Sequence, residues 1–171
     1  MSTLKEQTAE KHQQAEQTPF MKAVFKKTLP RSTWVEWTYW KSQFYHAIES
    51  KCDEGGLLDD IKSIVRFPKL TEDWISMGYQ PSGQNPVLVE YIDYINSLSP
   101  QQAMSHLYTW HMGDMFGGQM IKRIVEGPHN SLEFDDTEVL ISKVRSKLHP
   151  NMGPEAVVAF DWAIKMMNEL Y

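Results

Sequence analysis

The sequence has little cysteine and no long apolar run, and both absences restrict the kind of protein it can encode. Cys52 is its one cysteine, so no disulfide can form within the chain and a reducing compartment fits. No apolar run approaches the roughly 20 residues that span a bilayer, and the polar segment 1–17 lacks the apolar centre of a signal peptide. We therefore expect a soluble, cytoplasmic protein with no membrane anchor at its C-terminus.

Excess positive charge is also missing, since the formal net charge is −5. An acidic chain of this kind does not have general affinity for nucleic acid. The basic residues are nevertheless grouped, as Lys22, Lys26, Lys27 and Arg31, then Lys122 and Arg123, then Lys143, Arg145 and Lys147. The groups form a positive face if they converge in space, and solvated helix surfaces if they do not.

Strand patterns, repeats and low-complexity segments are absent, so the 171 residues predict a single all-α domain, 1–171. Capping residues mark the predicted helix starts: Thr3 with Glu6, Thr18 before Pro19, Ser32 or Thr33, Asn85 before Pro86, Ser99 before Pro100, and Asp135 with Glu138. Gly55-Gly56 closes the third helix, and a last helix ends at Tyr171. A short helix is expected at 57–65, and 67–84 is expected to be irregular because proline and glycine punctuate it.

Three glycines interrupt the helix predicted at 100–126, and we call Gly113, Gly117 and Gly118 the glycine strip. Each interior glycine costs a helix roughly 1 kcal/mol relative to alanine, so three of them require a reason. Helical spacing places them with Asp114 on neighbouring rows of one face, which therefore carries one carboxylate and no other side chain. Such a face lets a flat ligand approach the backbone and lets the helix bend, or it permits a close helix–helix crossing.

A histidine on the first helix is the other candidate site residue. His12 shares a helical face with Lys5, and the rise of about 1.5 Å per residue separates them by roughly 10 Å. A metal-ligating imidazole with a cation at that distance fits a metalloporphyrin that carries carboxylate groups. A hydrogen-bonded structural histidine remains the alternative.

Two segments of this sequence resemble the signatures of one enzyme family. Residues 4–16 (LKEQTAEKHQQAE), followed by Pro19-Phe20-Met21, closely resemble the N-terminal helix of heme oxygenases, and residues 108–119 (YTWHMGDMFGGQ) resemble that family's distal helix. Weaker similarity covers 44–49, 144–147 and 159–160, while 55–87 cannot be aligned. The resemblance implies an all-α bundle of the soluble bacterial, cyanobacterial or phage-like type, with heme between the proximal helix and a glycine-kinked distal helix.

The resemblance also implies roles for individual residues. His12 matches the axial ligand of the heme iron, and Glu16 matches the carboxylate that orients its imidazole. The glycine strip matches the backbone over the macrocycle, and Asp114 matches the residue that organises water for proton delivery. The remaining matches are Lys5 and Arg145 for the heme propionates, Tyr45 and Tyr108 for the distal hydrogen-bond network, and Phe160 for packing against the pocket.

The activity that this resemblance implies is the O2-dependent cleavage of heme b, which is both substrate and cofactor. Lys5 and Arg145 predict attack at the α-meso carbon, which gives biliverdin IXα, CO and ferrous iron. The chain has no flavin, nicotinamide or iron–sulfur motif, so electrons must come from outside. We expect an acidic ferredoxin at Lys22, Lys26, Lys122 and Arg123, a bilin reductase as a possible downstream partner, and neither nucleic acid nor membrane as a partner.

Departures from the family pattern leave two rival functions open. Phe116 occupies a position that is usually small and polar within the cofactor pocket, and Trp110 replaces a frequent arginine. A bulky ring at Phe116 is compatible with a non-catalytic heme carrier. A non-heme diiron oxidase is the second rival, because two pairs, His46 with Glu49 and His111 with Asp114, have the i, i+3 spacing of bundle metal sites.

Overall fold

The computed structural model describes residues 2–171, and within that range every regular element is helical. The nine α-helices are α1 (Leu4–Glu16), α2 (Pro19–Phe25), α3 (Arg31–Glu54), α4 (Phe67–Ser76), α5 (Pro86–Asn96), α6 (Pro100–Phe116), α7 (Gly118–Ile124), α8 (Thr137–Ser146) and α9 (Gly153–Leu170). Short 3₁₀ turns cover Lys62–Ile64, Asn130–Leu132 and Pro150–Met152. The predicted all-α class is confirmed.

Local capping explains four of the helix starts. Thr3 and Ser99 each form a complete capping box, in which the cap hydroxyl and the third helical side chain satisfy each other's backbone N–H groups. Thr18 and Asn85 accept hydrogen bonds from the first turns of α2 and α5. These starts lie where the sequence predicts them, because a cap of this kind needs only residues within one turn.

Two other predicted starts are wrong. α3 begins at Arg31 after Pro30, ahead of Ser32 and Thr33. The expected capping box of Asp135 with Glu138 does not form, since Asp136 is the N-cap in a left-handed conformation with φ of 49°. Glu138 is therefore the second helical residue, one position short of where its side chain could reach the cap N–H.

The segment between α3 and α5 contradicts the sequence prediction twice. Residues 57–65 form turns ending in the 3₁₀ turn Lys62–Ile64 instead of an α-helix. The expected irregular region contains α4, whose Pro68 stands in the first turn, where a missing N–H costs nothing. Glu49 of α3 caps this helix by accepting the backbone N–H groups of Arg66 and Phe67 at 2.7 and 3.1 Å.

The glycine-bearing helix is divided in two at the glycine strip. α6 ends at Phe116 and α7 begins at Gly118, so the single helix predicted at 100–126 is wrong. Gly117 keeps helical dihedrals, φ −65° and ψ −30°, and accepts backbone bonds from Met120 and Ile121. The interruption at Gly117 therefore occurs without the backbone leaving the helical region.

The core is built around α3, which packs against α4, α5 and α6, while α9 packs against α1 and α6. Trp37, Trp40 and Phe44 on α3 are buried, as their aromatic stripe predicts. α1 and α6 are both held by α9, and residues of both helices line one cavity. Within the described residues, no helix combines the length and the apolarity that crossing a membrane requires.

Candidate functional site

A cavity of about 1000 Å³ brings the predicted site residues together. Those on its wall are Lys5, His12, Glu16, Tyr108, Gly113, Asp114, Phe116, Gly117, Gly118, Arg145 and Phe160. Tyr45 lies behind the wall, where its hydroxyl donates a 2.7 Å hydrogen bond to Asp114 Oδ2. Residues from α1, α6, α7, α8 and α9 thus share one space, and the roles expected of them remain predictions.

His12 presents its imidazole on the α1 side of the cavity. Its side chain is 62% exposed, and its Nε2 lies 3.2 Å from Glu16 Oε1, one helical turn further on. The ring packs against Phe160 of α9 with 5.6 Å between centroids. One nitrogen is therefore held by a carboxylate, and the other has no hydrogen-bond partner within residues 2–171, so it can bind a metal.

The glycine strip also lines the cavity, from α6 and α7, and its members differ in their surroundings. A methyl group placed on Gly113 would meet nothing within 4 Å, because this position faces open cavity. A methyl group on Gly118 would lie 3.0 Å from Leu132 Cδ2, so this glycine also permits close packing with the Asn130–Leu132 turn. The bare backbone at Gly113 is available to a ligand.

Asp114 is buried and held by two donors, not by water alone. Lys41 Nζ lies 3.0 Å from Asp114 Oδ1, and the two side chains are only 13% and 11% exposed. Burial and the charge of Asp114 raise the pKa of Tyr45 well above its usual value, so Tyr45 stays protonated and donates. The sequence analysis missed Lys41, although Lys41 stands one helical turn before Tyr45 on the same face.

A second buried network lies behind Tyr45 and fixes its ring. His111 stacks on Tyr45 at 4.5 Å between centroids, and its Nε2 lies 2.8 Å from Glu49 Oε2. Glu49 and Asp114, which belong to the two pairs that suggested a diiron site, therefore have other partners. Glu49 also caps α4, and Asp114 accepts a hydrogen bond from Lys41. Residues 2–171 contain no group of three or more His, Cys, Asp or Glu side chains that could hold a metal ion.

A third network connects α6 with α5 and α9. Trp110 Nε1 donates to Tyr91 Oη at 3.0 Å, and Tyr91 Oη lies 2.7 Å from His106 Nδ1. His106 Nε2 is 2.8 Å from Glu155 Oε1, to which Tyr94 also donates. The partners of His106 lie on other helices, so this histidine has a structural role where α5 and α9 meet α6.

Cationic groups at the cavity edge have no anionic partner among the described residues. Lys5 and Arg145 both line the cavity and form no ion pair there. Burial raises the pKa of Tyr108, while a hydrogen bond with Thr8 and the charge of Arg145 oppose that shift. The cavity therefore offers two positive charges to a ligand with carboxylate groups.

Phe116 lies on the α8 side of the cavity with 54% of its surface exposed. The ring also borders a smaller cavity of about 380 Å³ with Glu138, Ile141 and Arg145. Neither carboxylate oxygen of Asp114 depends on Phe116 for its hydrogen bonds.

Comparisons with known proteins agree with this architecture. A family model described as heme oxygenase matches residues 1–140. The heme oxygenase of Porphyra purpurea is 29% identical over 118 residues, covering 57% of this chain and 50% of that protein. The heme oxygenase of Pyropia yezoensis is 26% identical over 200 residues, covering 98% and 84%.

Solved structures show the same fold. Heme oxygenase-1 of Synechocystis sp. in complex with heme has a TM-score of 0.83 at 20% identity, covering 98% of this chain and 90% of that one. Heme oxygenase of Leptospira interrogans has a TM-score of 0.84 at 19% identity, with 97% of both chains covered. The fold and the cavity define an all-α protein with one cavity that residues from several helices line. The chain belongs to the heme oxygenase family.

Proposed function

We propose that this chain binds heme between α1 and α6 and cleaves it oxidatively to biliverdin IXα, CO and ferrous iron. The observation that carries the proposal is the cavity with His12 on one wall and the exposed backbone of Gly113 on another. The heme complex of the Synechocystis protein, which shares the fold, supports the same ligand.

The residues present fit a flat, dianionic macrocycle. A volume of about 1000 Å³ accommodates a ligand of that size, and Gly113 offers no side chain that would obstruct its face. His12 would bind the iron, with Glu16 orienting the imidazole. Lys5 and Arg145 would bind the propionates and thereby set the rotation of the ring, which favours the α-meso carbon.

The polar residues on the α6 side would control protons. Heme supplies the iron at which O2 is activated when electrons arrive from outside. Asp114 is fixed by Tyr45 and Lys41, and the remaining lone pairs of its carboxylate can hold a water molecule. The buried position of Asp114 and Lys41 would restrict where such a water molecule binds.

An acidic ferredoxin is the electron donor that the charge distribution favours. Lys22 on α2, Lys26 just after it and Arg123 on α7 are exposed, and α2 packs against α7. We call Lys22, Lys26, Lys122 and Arg123 the basic face, although Lys122 also pairs with Glu133 at 2.9 Å. Opposite charge at this face would steer the donor toward the cavity edge.

Hemin titration followed by turnover tests the proposal. The wild-type chain should develop a Soret band, and ascorbate or reduced ferredoxin with O2 should then produce biliverdin, identified as the IXα isomer by chromatography. Asp114→Ala should keep the Soret band and lose bilin formation, whereas His12→Ala should change the Soret band itself.

Each rival function predicts a different result. A stable Soret band without bilin in the wild-type chain would indicate the heme carrier. No Soret band would contradict heme binding, and a β or δ isomer would contradict the proposed anchoring by Lys5 and Arg145.

A further inference from the structure

We propose that Lys41 forms an anion-binding subsite on the α6 side of the cavity, donating a hydrogen bond to a small anionic ligand held there. The inference rests on the proposed function, because the anion would be a small ligand of the iron in bound heme. It gives a role to a residue of α3 that the sequence did not single out.

Lys41 has N–H donors that no described residue uses. An ammonium group has three N–H donors, and Asp114 Oδ1 is the one acceptor within residues 2–171 that Lys41 contacts. Lys41 also lines the cavity, so its remaining donors are available to whatever occupies that space. An unused charged donor beside a ligand cavity favours a ligand with negative charge.

The neighbouring donors Tyr45 and Trp110 already donate their protons to other residues of the protein. Both Asp114 oxygens already accept hydrogen bonds, and Tyr45 uses its proton on Asp114. Trp110 directs its N–H to Tyr91, away from the cavity. Lys41 is therefore the side chain of this group with a donor to spare.

Neighbouring side chains hold the Lys41 ammonium in place. The Lys41 ammonium lies 5.1 Å from the centroid of the Tyr45 ring, and that ring stacks on the buried His111. With 13% of its side chain exposed, Lys41 loses little further freedom when it binds a ligand. The ion pair with Asp114 thus positions the donor before the anion arrives.

Azide and imidazole titrations of the ferric hemin complex test the inference, because azide is anionic and imidazole is neutral. Lys41→Met should weaken azide binding by about tenfold, the size of one hydrogen bond to a charged group, and change imidazole binding less than about twofold. Lys41→Arg should retain the azide affinity. Lys51→Met is the matched control, since Lys51 lies on the same helix, pairs with Glu54 and is absent from the cavity wall.

A further variant guards against misfolding. Lys41→Met leaves Asp114 buried without its cation, so Lys41→Met with Asp114→Asn removes both charges and should show the same loss of azide affinity. Unchanged azide affinity in these variants, or equal losses for azide and imidazole, would overturn the inference while leaving heme binding intact. A wild-type chain that takes up no hemin would overturn the proposed function and this inference together.

Discussion

Gly113 and Gly118 of the glycine strip have different surroundings, so the lack of a side chain has a different effect at each position. Gly113 faces open cavity, and an added Cβ would meet nothing there within 4 Å, so packing does not require a glycine. Gly118 is buried, and its missing Cβ makes room for Leu132. No packing contact among the described residues accounts for a glycine at Gly113, and the approach of a ligand is the reason that we propose.

A pair of alanine variants separates these two roles. Gly113→Ala should stabilise the heme-free chain by up to about 1 kcal/mol through helix propensity, yet weaken hemin binding about tenfold because the new methyl enters the cavity. Gly118→Ala should be the less stable of the two, since crowding against Leu132 opposes the same gain in propensity. Thermal unfolding and hemin titration measure both effects.

The opposite ranking would contradict this assignment. If Gly113→Ala bound hemin as tightly as the wild-type chain, no ligand would approach the backbone at Gly113. The reason for that glycine would then lie in the interruption between α6 and α7.

Contacts between helices are fixed by buried polar groups as well as by apolar packing. Glu155 stands in the first turn of α9 and receives hydrogen bonds that join α9 to His106 of α6 and Tyr94 of α5. Burial acts to raise the pKa of Glu155, but the hydrogen bonds with His106 and Tyr94 outweigh it, so the pKa lies below the usual value of 4.5. Folding therefore favours the ionised form of this carboxyl group.

This depressed pKa predicts how stability depends on pH. Because the folded pKa lies below the unfolded one, the stabilisation is fully present above about pH 4.5 and is lost as the pH falls through the folded pKa. Glu155→Gln should lower the free energy of unfolding at neutral pH and flatten its decline in acid. Urea unfolding between about pH 3 and pH 7 measures this, and parallel curves for the two proteins would count against the α5–α6–α9 link.

The distribution of charge over the molecule is uneven despite its acidic total. A net charge of −5 coexists with the exposed basic face on α2 and α7, which lies beside helices that contribute to the cavity. Long-range attraction of an acidic donor to this face would act on the rate of association more than on the chemistry.

Salt dependence tests that picture of electron delivery. Ferredoxin-driven bilin formation should fall about tenfold between about 20 mM and 200 mM salt, and Lys26→Glu with Arg123→Glu should lower it at low salt. Lys165→Glu is the control, since Lys165 pairs with Glu90 of α5. Ascorbate-driven turnover should be unaffected, and equal losses in all the variants would exclude steering by the basic face.

The sequence predicts those parts of the fold that neighbouring residues decide. Thr3 with Glu6 and Ser99 with Gln102 place the starts of α1 and α6, and the aromatic spacing on α3 identifies buried positions. The start of α4 is missed because Glu49, on another helix, supplies its cap. A capping rule that searches within one turn cannot find such a partner.

For the candidate site, the sequence predicts the individual residues but not how they come together. Its individual members, His12 on α1 and the glycine strip with Asp114 on α6 and α7, are apparent from residue type and helical spacing. Their meeting around one cavity, and the pairing of Asp114 with Lys41, follow from the packing of α9 against α1 and α6 and of α3 against α6.

The sequence by itself determined the all-α class, the starts of α1, α2, α5 and α6, and the residue types for the proposed heme chemistry, because those depend on interactions within a turn or two. Only the tertiary structure decided that α6 ends at the glycine strip, that Gly113 and Gly118 face different surroundings, and that Asp114 is held by a lysine. Those features depend on contacts between groups far apart in the chain, such as Lys41 with Asp114 and Gly118 with Leu132. Side-chain chemistry alone does not specify which distant partners will meet.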